Sequence, residues 1–242
     1  AQTNALVINS TAVTYGSTLS LTTTGGSGSG SNSFAVDSGP CTVSGSTLTP
    51  TAAGTCMVTA TKAANGNYLA ASSDSTAITV TPKGLTVSGL TGVNKEFDRG
   101  LSASATGTPT LVGVVGSDDV LLGGTPVFTF ASSNVASGIT ITATGYTLTG
   151  TTASNYTLTQ PTVTANITTK AARISATNTT VAYGATVTSG FTTSGLISPD
   201  AVGSASYTYT GTGTATPPTA VGVYTATPSN AFFSTGLIEN YT

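Results

Sequence analysis

An aromatic landmark returns at a nearly fixed interval along this chain, and that periodicity limits the fold before any single element is considered. Val13-Thr14-Tyr15-Gly16 recurs as Val181-Ala182-Tyr183-Gly184, with a diverged copy, Val93-Asn94-Lys95-Glu96-Phe97-Asp98-Arg99-Gly100, between them. Positions 15, 97 and 183 are thus 82 and 86 residues apart. A second landmark, Asn-Tyr, occurs as Asn67-Tyr68, Asn155-Tyr156 and Asn240-Tyr241, at intervals of 88 and 85 residues and in constant phase with the first. A third, Ile78-Thr79-Val80-Thr81-Pro82-Lys83, is matched by Ala165-Asn166-Ile167-Thr168-Thr169-Lys170. Together they predict three modules, 1–83, 84–170 and 171–242.

Within each module the local pattern has period two. Val58-Thr59-Ala60-Thr61, Ile139-Thr140-Ile141-Thr142-Ala143-Thr144 and Val223-Tyr224-Thr225-Ala226-Thr227 alternate an apolar face with a largely threonine face, as half-buried strands do. Gly25-Gly26-Ser27-Gly28, Ser38-Gly39-Pro40, Gly123-Gly124-Thr125-Pro126 and Pro217-Pro218 supply turns between them. Several short strands per module with Gly/Pro turns predict an all-β chain, a tandem array of three small immunoglobulin-like β-sandwiches. In that fold the landmark tyrosines Tyr68 and Tyr156 are expected to sit at the core edge with a hydroxyl bonded to backbone.

Particular residues of each module resemble known families. Phe97-Asp98-Arg99-Gly100, Val114-Val115-Gly116-Ser117-Asp118-Asp119-Val120 and Gly150-Thr151-Thr152-Ala153-Ser154-Asn155-Tyr156 resemble the YDG modules of large bacterial surface adhesins. There Phe97 stands for the usual Tyr. Val181-Ala182-Tyr183-Gly184, with Val221-Gly222-Val223-Tyr224 before Asn240-Tyr241, resembles the related MBG modules. Gly54-Thr55-Cys56-Met57-Val58-Thr59-Ala60-Thr61-Lys62 is similar to bacterial Ig-like repeats. The resemblance implies a repetitive spacer region of a secreted or cell-surface bacterial protein, with no catalytic residues to carry over.

Composition narrows the partners. Only 6% of residues are charged, against roughly 25% in an average soluble protein, and the net charge of −2 is spread without runs. Nucleic acid is therefore not an expected partner, since phosphate binding needs a basic footprint. No stretch approaches the ~20 apolar residues of a membrane-spanning helix. The start, Ala1-Gln2-Thr3-Asn4, lacks the features of a signal peptide, so the chain reads as a mature or excised segment. Cys41 and Cys56, set in neighbouring strand patterns, predict a disulfide across adjacent strands, which persists in an oxidising compartment. The alternative is a pair of buried thiols. Secretion to the bacterial cell surface is the expected localisation.

The sequence predicts no enzyme. There is no His, which removes Ser-His-Asp and Cys-His arrangements. Asp118 and Asp119 are adjacent carboxylates, expected to be solvated in a Gly-Ser-Asp-Asp turn rather than to form a hydrolytic pair. The same two are the only metal candidates, for structural calcium shared with a neighbouring module, because the remaining acids are scattered. No other cofactor is expected. Gly25-Gly26-Ser27-Gly28-Ser29-Gly30 lacks the helix and Lys of a phosphate-binding loop and predicts a flexible hairpin tip. Lys62, Lys83, Lys95 and Lys170 are conceivable donors of Lys–Asn cross-links.

Modules one and two run 15 and 14 residues past their Asn-Tyr tyrosine, whereas the third runs one residue past Tyr241. The third is therefore expected to lack its last strand, through truncation or because another chain donates one. Ala5-Leu6-Val7-Ile8 is the candidate donor. The expected partners are neighbouring modules or copies of the chain. The expected function is a structural spacer of an adhesin or extracellular filament. The alternatives are a module that binds glycan or a surface protein, and a filament subunit assembled by strand donation.

Overall fold

The computed structural model describes residues 5–210 and 217–242. Those residues are all-β, with many small sheets, no α-helix and two single-turn 3-10 segments. They divide into two compact units: one up to Leu90 with Gly107–Val127 and Ala143–Pro161, the other formed by Thr91–Thr106, Phe128–Thr142 and Thr162–Thr242. The middle repeat, 84–170, contributes to both. Its strand Ala136–Thr149 is 14 residues long, and the division falls between Thr142 and Ala143.

In the first unit the alternating pattern produces the expected one-sided burial. Strand Thr76–Thr81 buries Ile78 and Val80 and turns its threonines outward. It pairs antiparallel with Gly54–Lys62, Ile78 opposite Cys56, and parallel with Ala12–Thr14, Val80 opposite Val13. Asn32–Ser38 completes this sheet, with Ala71–Ser72 beside Gly54–Lys62. Leu19–Ser20, Thr47–Pro50 and Cys41–Ser44 form a second sheet. Leu48 from this sheet packs in one core with Val58, Ala60, Ile78, Val80 and Leu85, all at 2% exposure or less.

The Cys41–Cys56 disulfide is present, but it does not cross adjacent strands. Cys41 lies in the second sheet and Cys56 in the first. The one-residue register shift between Val36 and Ser38 and the turn at Gly39 and Pro40 carry the chain from one sheet to the other. Flanking strand patterns cannot reveal such a crossing.

A third sheet in this unit joins Ala105–Val112, Lys83–Gly92 and Tyr156–Leu158. Lys83 lies opposite Tyr156 and Leu85 opposite Leu158, in parallel. The second unit holds the sheet Lys95–Glu96, Thr162–Thr168, Ala136–Thr149, Leu121–Phe130 and Ser102–Ala103. Its core comprises Phe97, Phe130, Ile139, Ile141, Ala165, Ile167 and Tyr241. The hairpins Arg173–Ala176 with Phe191–Ser194 and Ala201–Tyr209 with Ala226–Thr235 complete the unit. The two 3-10 turns, Ala153–Asn155 and Ile238–Asn240, each end on the Asn of an Asn-Tyr landmark and release the Tyr into extended backbone.

Candidate functional site

In the first unit the landmarks converge on one polar–aromatic knot. Tyr15 follows strand Ala12–Thr14, where the left-handed Gly16 (φ +80°) lets the chain turn and Ser17 N–H donate to the Thr14 carbonyl at 3.0 Å. The Tyr15 and Tyr156 rings meet edge to face, centroids 5.6 Å apart and planes at 89°, an arrangement that aromatic quadrupoles favour. The Tyr156 hydroxyl donates to Asp118 Oδ2 at 2.5 Å and accepts from the Val115 N–H at 3.0 Å. Tyr15 donates to the same Oδ2 at 2.8 Å. Asp118 closes its own turn by donating its N–H to the Val115 carbonyl at 3.1 Å. Beside it, Asn155 Oδ1 accepts the N–H of Ala53 at 2.9 Å.

The second unit contains the same knot with one exchange. Phe97 meets Tyr241 edge to face at 5.4 Å and 81°, and Phe233 stacks on the other side of Tyr241 at 5.5 Å. The Tyr241 hydroxyl donates to Asp200 Oδ2 at 2.6 Å and accepts from the Ile197 N–H at 3.1 Å. Asp200 N–H donates to the Ile197 carbonyl at 2.8 Å, and Asn240 Oδ1 accepts the Val135 N–H at 2.9 Å. Phe97 has no hydroxyl to offer Asp200. Arg99, in the left-handed region at φ +64°, places its guanidinium on Asp200 Oδ1 instead.

Ala53, Val115 and Asp118 lie 82 residues before Val135, Ile197 and Asp200. The knots are therefore two copies of one arrangement. In each, the aromatic residue of one sequence repeat and a backbone N–H of that repeat are held by the Asp turn and the Asn-Tyr pair of the next.

Burial and hydrogen bonding act together here. Asn155, Asp200 and Asn240 are the buried polar or charged residues among those described, and each belongs to a knot, where buried polar groups must find partners. Loss of solvent, reinforced by the bond to Asp118, pushes the Tyr156 hydroxyl up to about 12. Burial raises Tyr15 and Tyr241 as well, again with a carboxylate accepting the proton. The phenols stay protonated donors over the ordinary pH range, the state the knot requires.

The other candidate residues are placed differently. Asp118, expected to be solvated, is instead partly buried between two tyrosines. Asp119 is exposed and accepts the N–H and hydroxyl of Thr151, both at 2.9 Å, which holds its carboxyl below the usual range. No group of three or more His, Cys, Asp or Glu stands together among the described residues. Tyr156 is buried as expected, yet the backbone it meets is 41 residues away, so it fastens distant segments rather than a local corner. Tyr68 is 40% exposed, and Asn67-Tyr68 forms part of a short reversal in which Asn65 and Tyr68 exchange backbone hydrogen bonds.

Val7 and Ile8 of the candidate donor run pair with Thr24 and Thr23, Leu6 and Ile8 are buried in the first core, and Ala5 is exposed. The glycine run is not a free tip. A side chain at Gly25 or Gly30 would overlap the carbonyl of Ala5 or Ala63, and Lys62 Nζ donates to the Gly25 and Gly26 carbonyls. Lys95 and Lys170 pair with Asp98 and Glu96. Tyr183 is 83% exposed and Gly184 has open space around it.

Chemically, the knots suit fastening. Every hydroxyl, carboxylate and carboxamide in them is spent on another part of the protein. Two shallow cavities, of about 180 and 190 Å3, lie against Phe97, Arg99 and Asn240 and against Leu6, Ser73 and Asp74 respectively. Both are smaller than the roughly 300 Å3 at which small-molecule sites begin.

The YDG domain family matches the chain over residues 81–165, in agreement with the likeness read from the middle repeat. No curated protein matches it. No helix among the described residues is long and apolar enough to cross a membrane. Sequence reasoning found the aromatic and Asn-Tyr landmarks but missed Asp200, Arg99 and the grip on Ala53 and Val135. The missed signal was the pair Val114-Val115-Gly116-Ser117-Asp118 and Leu196-Ile197-Ser198-Pro199-Asp200, 82 residues apart.

Proposed function

We propose that this chain is a structural spacer from a secreted or cell-surface bacterial adhesin or extracellular filament. In this reading its Ig-like, YDG-like and MBG-like sandwich modules are fastened one to the next. One observation carries the proposal. The Asp and Asn-Tyr knot occurs twice, and each time it ties one sequence repeat to its successor. A spacer needs junctions that resist bending and pulling, and short polar–aromatic fastenings buried beside a core do this better than a Gly/Ser linker. The absence of a cavity of substrate size among the described residues fits a role without catalysis.

Pulling the full chain from its two ends in a single-molecule instrument tests this. The wild type is expected to rupture at higher force than Asp118→Ala, with the low-force step mapping to the first junction. Equal rupture forces for the two proteins, or saturable glycan binding by the full chain on an array, would overturn the spacer reading.

A further inference from the structure

The third copy of the aromatic landmark is formed but unoccupied. The Tyr183-Gly184 turn repeats that of Tyr15-Gly16: Gly184 has φ +83° where Gly16 has +80°. Ala185 N–H donates to the Ala182 carbonyl at 3.0 Å, as Ser17 N–H does to Thr14. What differs is the surroundings. Tyr15 is 7% exposed and Phe97 2%, whereas Tyr183 is 83% exposed. A Cβ on Gly16 would lie 2.5 Å from Val115 Cγ2, and one on Gly184 would meet nothing within 4 Å. Val181, the counterpart of the partly buried Val13, is 40% exposed, and Val221 and Val223 are more exposed still.

We propose that the Tyr183-Gly184 turn, with Val181, is a docking surface for a further YDG-type module, one that brings an Asp-bearing turn and a free Asn-Tyr pair. The occupant is specified by the two filled copies. An apolar residue three before the Asp covers the landmark glycine, as Val115 covers Gly16. A tyrosine packs edge-on against the landmark ring. The Asp carboxylate takes the landmark hydroxyl, which Tyr183 possesses and Phe97 does not, so Tyr15 is its nearer guide.

A second copy of this chain does not fit. Its Asp118 and Asn155-Tyr156 are taken by Tyr15 and Ala53, and its Asp200 and Asn240-Tyr241 by Phe97, Arg99 and Val135. The first repeat offers no replacement, because its Asp37 is held by Thr59 and Ser75 at 2.6 and 2.5 Å. The inference deepens the spacer reading and rests on the same knot.

Thr242 follows Tyr241 as Thr157 follows Tyr156, so appending a copy of residues 158–242 after Thr242 continues the repeat in register. It places the copy's Asp200 within one residue of the 103-residue separation between Tyr15 and Asp118. A control appends only residues 158–170. Each protein is nitrated with tetranitromethane and the modified tyrosines are mapped by mass spectrometry. In the unextended chain Tyr183 is expected to react readily while Tyr15, Tyr156 and Tyr241 are spared. In the long extension Tyr183 should become at least five-fold less reactive, and Asp200→Ala with Tyr241→Ala in the appended copy should restore its reactivity.

Three results would overturn the inference: a reactive Tyr183 in the long extension, protection by residues 158–170 alone, and concentration-dependent protection in the unextended chain. If the long extension does not fold, Tyr183→Trp gives the chain its sole tryptophan. Iodide quenching then reports on purified fragments carrying a free Asp and Asn-Tyr set, added in trans and checked by circular dichroism. Failure of binding there also overturns the inference. Reactive Tyr15 in the unextended chain would instead discredit the knot, and with it the spacer reading.

Discussion

Tyr15 and Tyr156 donate their hydroxyl protons to the same atom, Asp118 Oδ2, at 2.8 and 2.5 Å. The two bonds are not equivalent. Tyr156 also accepts the Val115 N–H, so Tyr156→Phe strands a partly buried amide as well as weakening the carboxylate's solvation. An unsatisfied buried donor costs about 1–3 kcal/mol, while an ordinary hydrogen bond contributes only about 1. Tyr156→Phe is therefore expected to destabilise the protein by about 2–3 kcal/mol and Tyr15→Phe by about 1 or less. Urea denaturation of both variants checks this, and equal losses would show that the Val115 bond is dispensable.

The second knot tests how one chemistry replaces another. Asp200 has a wholly buried side chain, and its cation, Arg99, is 39% exposed. Removing the guanidinium leaves a buried carboxylate with the Tyr241 hydroxyl, so Arg99→Ala should cost about 2–4 kcal/mol. Phe97→Tyr added to Arg99→Ala rebuilds the donor that Tyr15 supplies in the first knot. It should return about 1 kcal/mol, measured as a coupling in a double-mutant cycle by thermal or urea unfolding.

These relationships explain what was legible beforehand. Strands were readable because alternation is local: Ile78 and Val80 face the core and their threonine neighbours do not. The period was readable because Tyr15, Phe97 and Tyr183 recur at fixed intervals. The knots were not, since Ala53 meets Asn155 across 102 residues through a backbone N–H that leaves no mark in sequence. Asp118 was misread for a related reason: adjacency to Asp119 suggested a solvated turn, and its tyrosine partners lie 103 and 38 residues away. Phe97 reads as divergence in sequence, and only Arg99 against Asp200 shows what compensates it.

The disulfide joins two sheets around a shared core. Its closed segment spans 15 residues, for which the chain-entropy treatment gives about 3 kcal/mol. Cys41→Ser with Cys56→Ser, or reduction under native conditions, should lower stability by about that amount. Hydrogen exchange should show the loss concentrated in Thr47–Pro50 and Gly54–Lys62, with the Phe97 and Tyr241 region unchanged.

Alkali should loosen the knots before it affects the remaining structure. The folded pKa of Tyr156, near 12, is raised above the unfolded value near 10, so this contribution is fully present below pH 10. It falls away as pH rises through the folded value. Tyr15 and Tyr241 shift in the same direction. Stability measured by urea between pH 9 and about 12 should therefore decline, and Tyr156→Phe should flatten the decline. A pH-independent difference between the two proteins would refute the assignment.

Gly16 and Gly184 offer a comparison in which backbone strain cancels. Both sit in the left-handed region, at +80° and +83°, so alanine at either costs roughly 1 kcal/mol from conformation alone. Only Gly16→Ala also drives a methyl against Val115 Cγ2. Overpacking of this kind costs typically about 1–3 kcal/mol, so Gly16→Ala should lose that much more than Gly184→Ala. The gap should close in Gly16→Ala with Val115→Ala, because the truncated side chain no longer reaches the new methyl. Calorimetric unfolding of the four proteins measures each term, and equal losses for the two glycine variants would mean that Val115 does not seat on the Gly16 turn in solution.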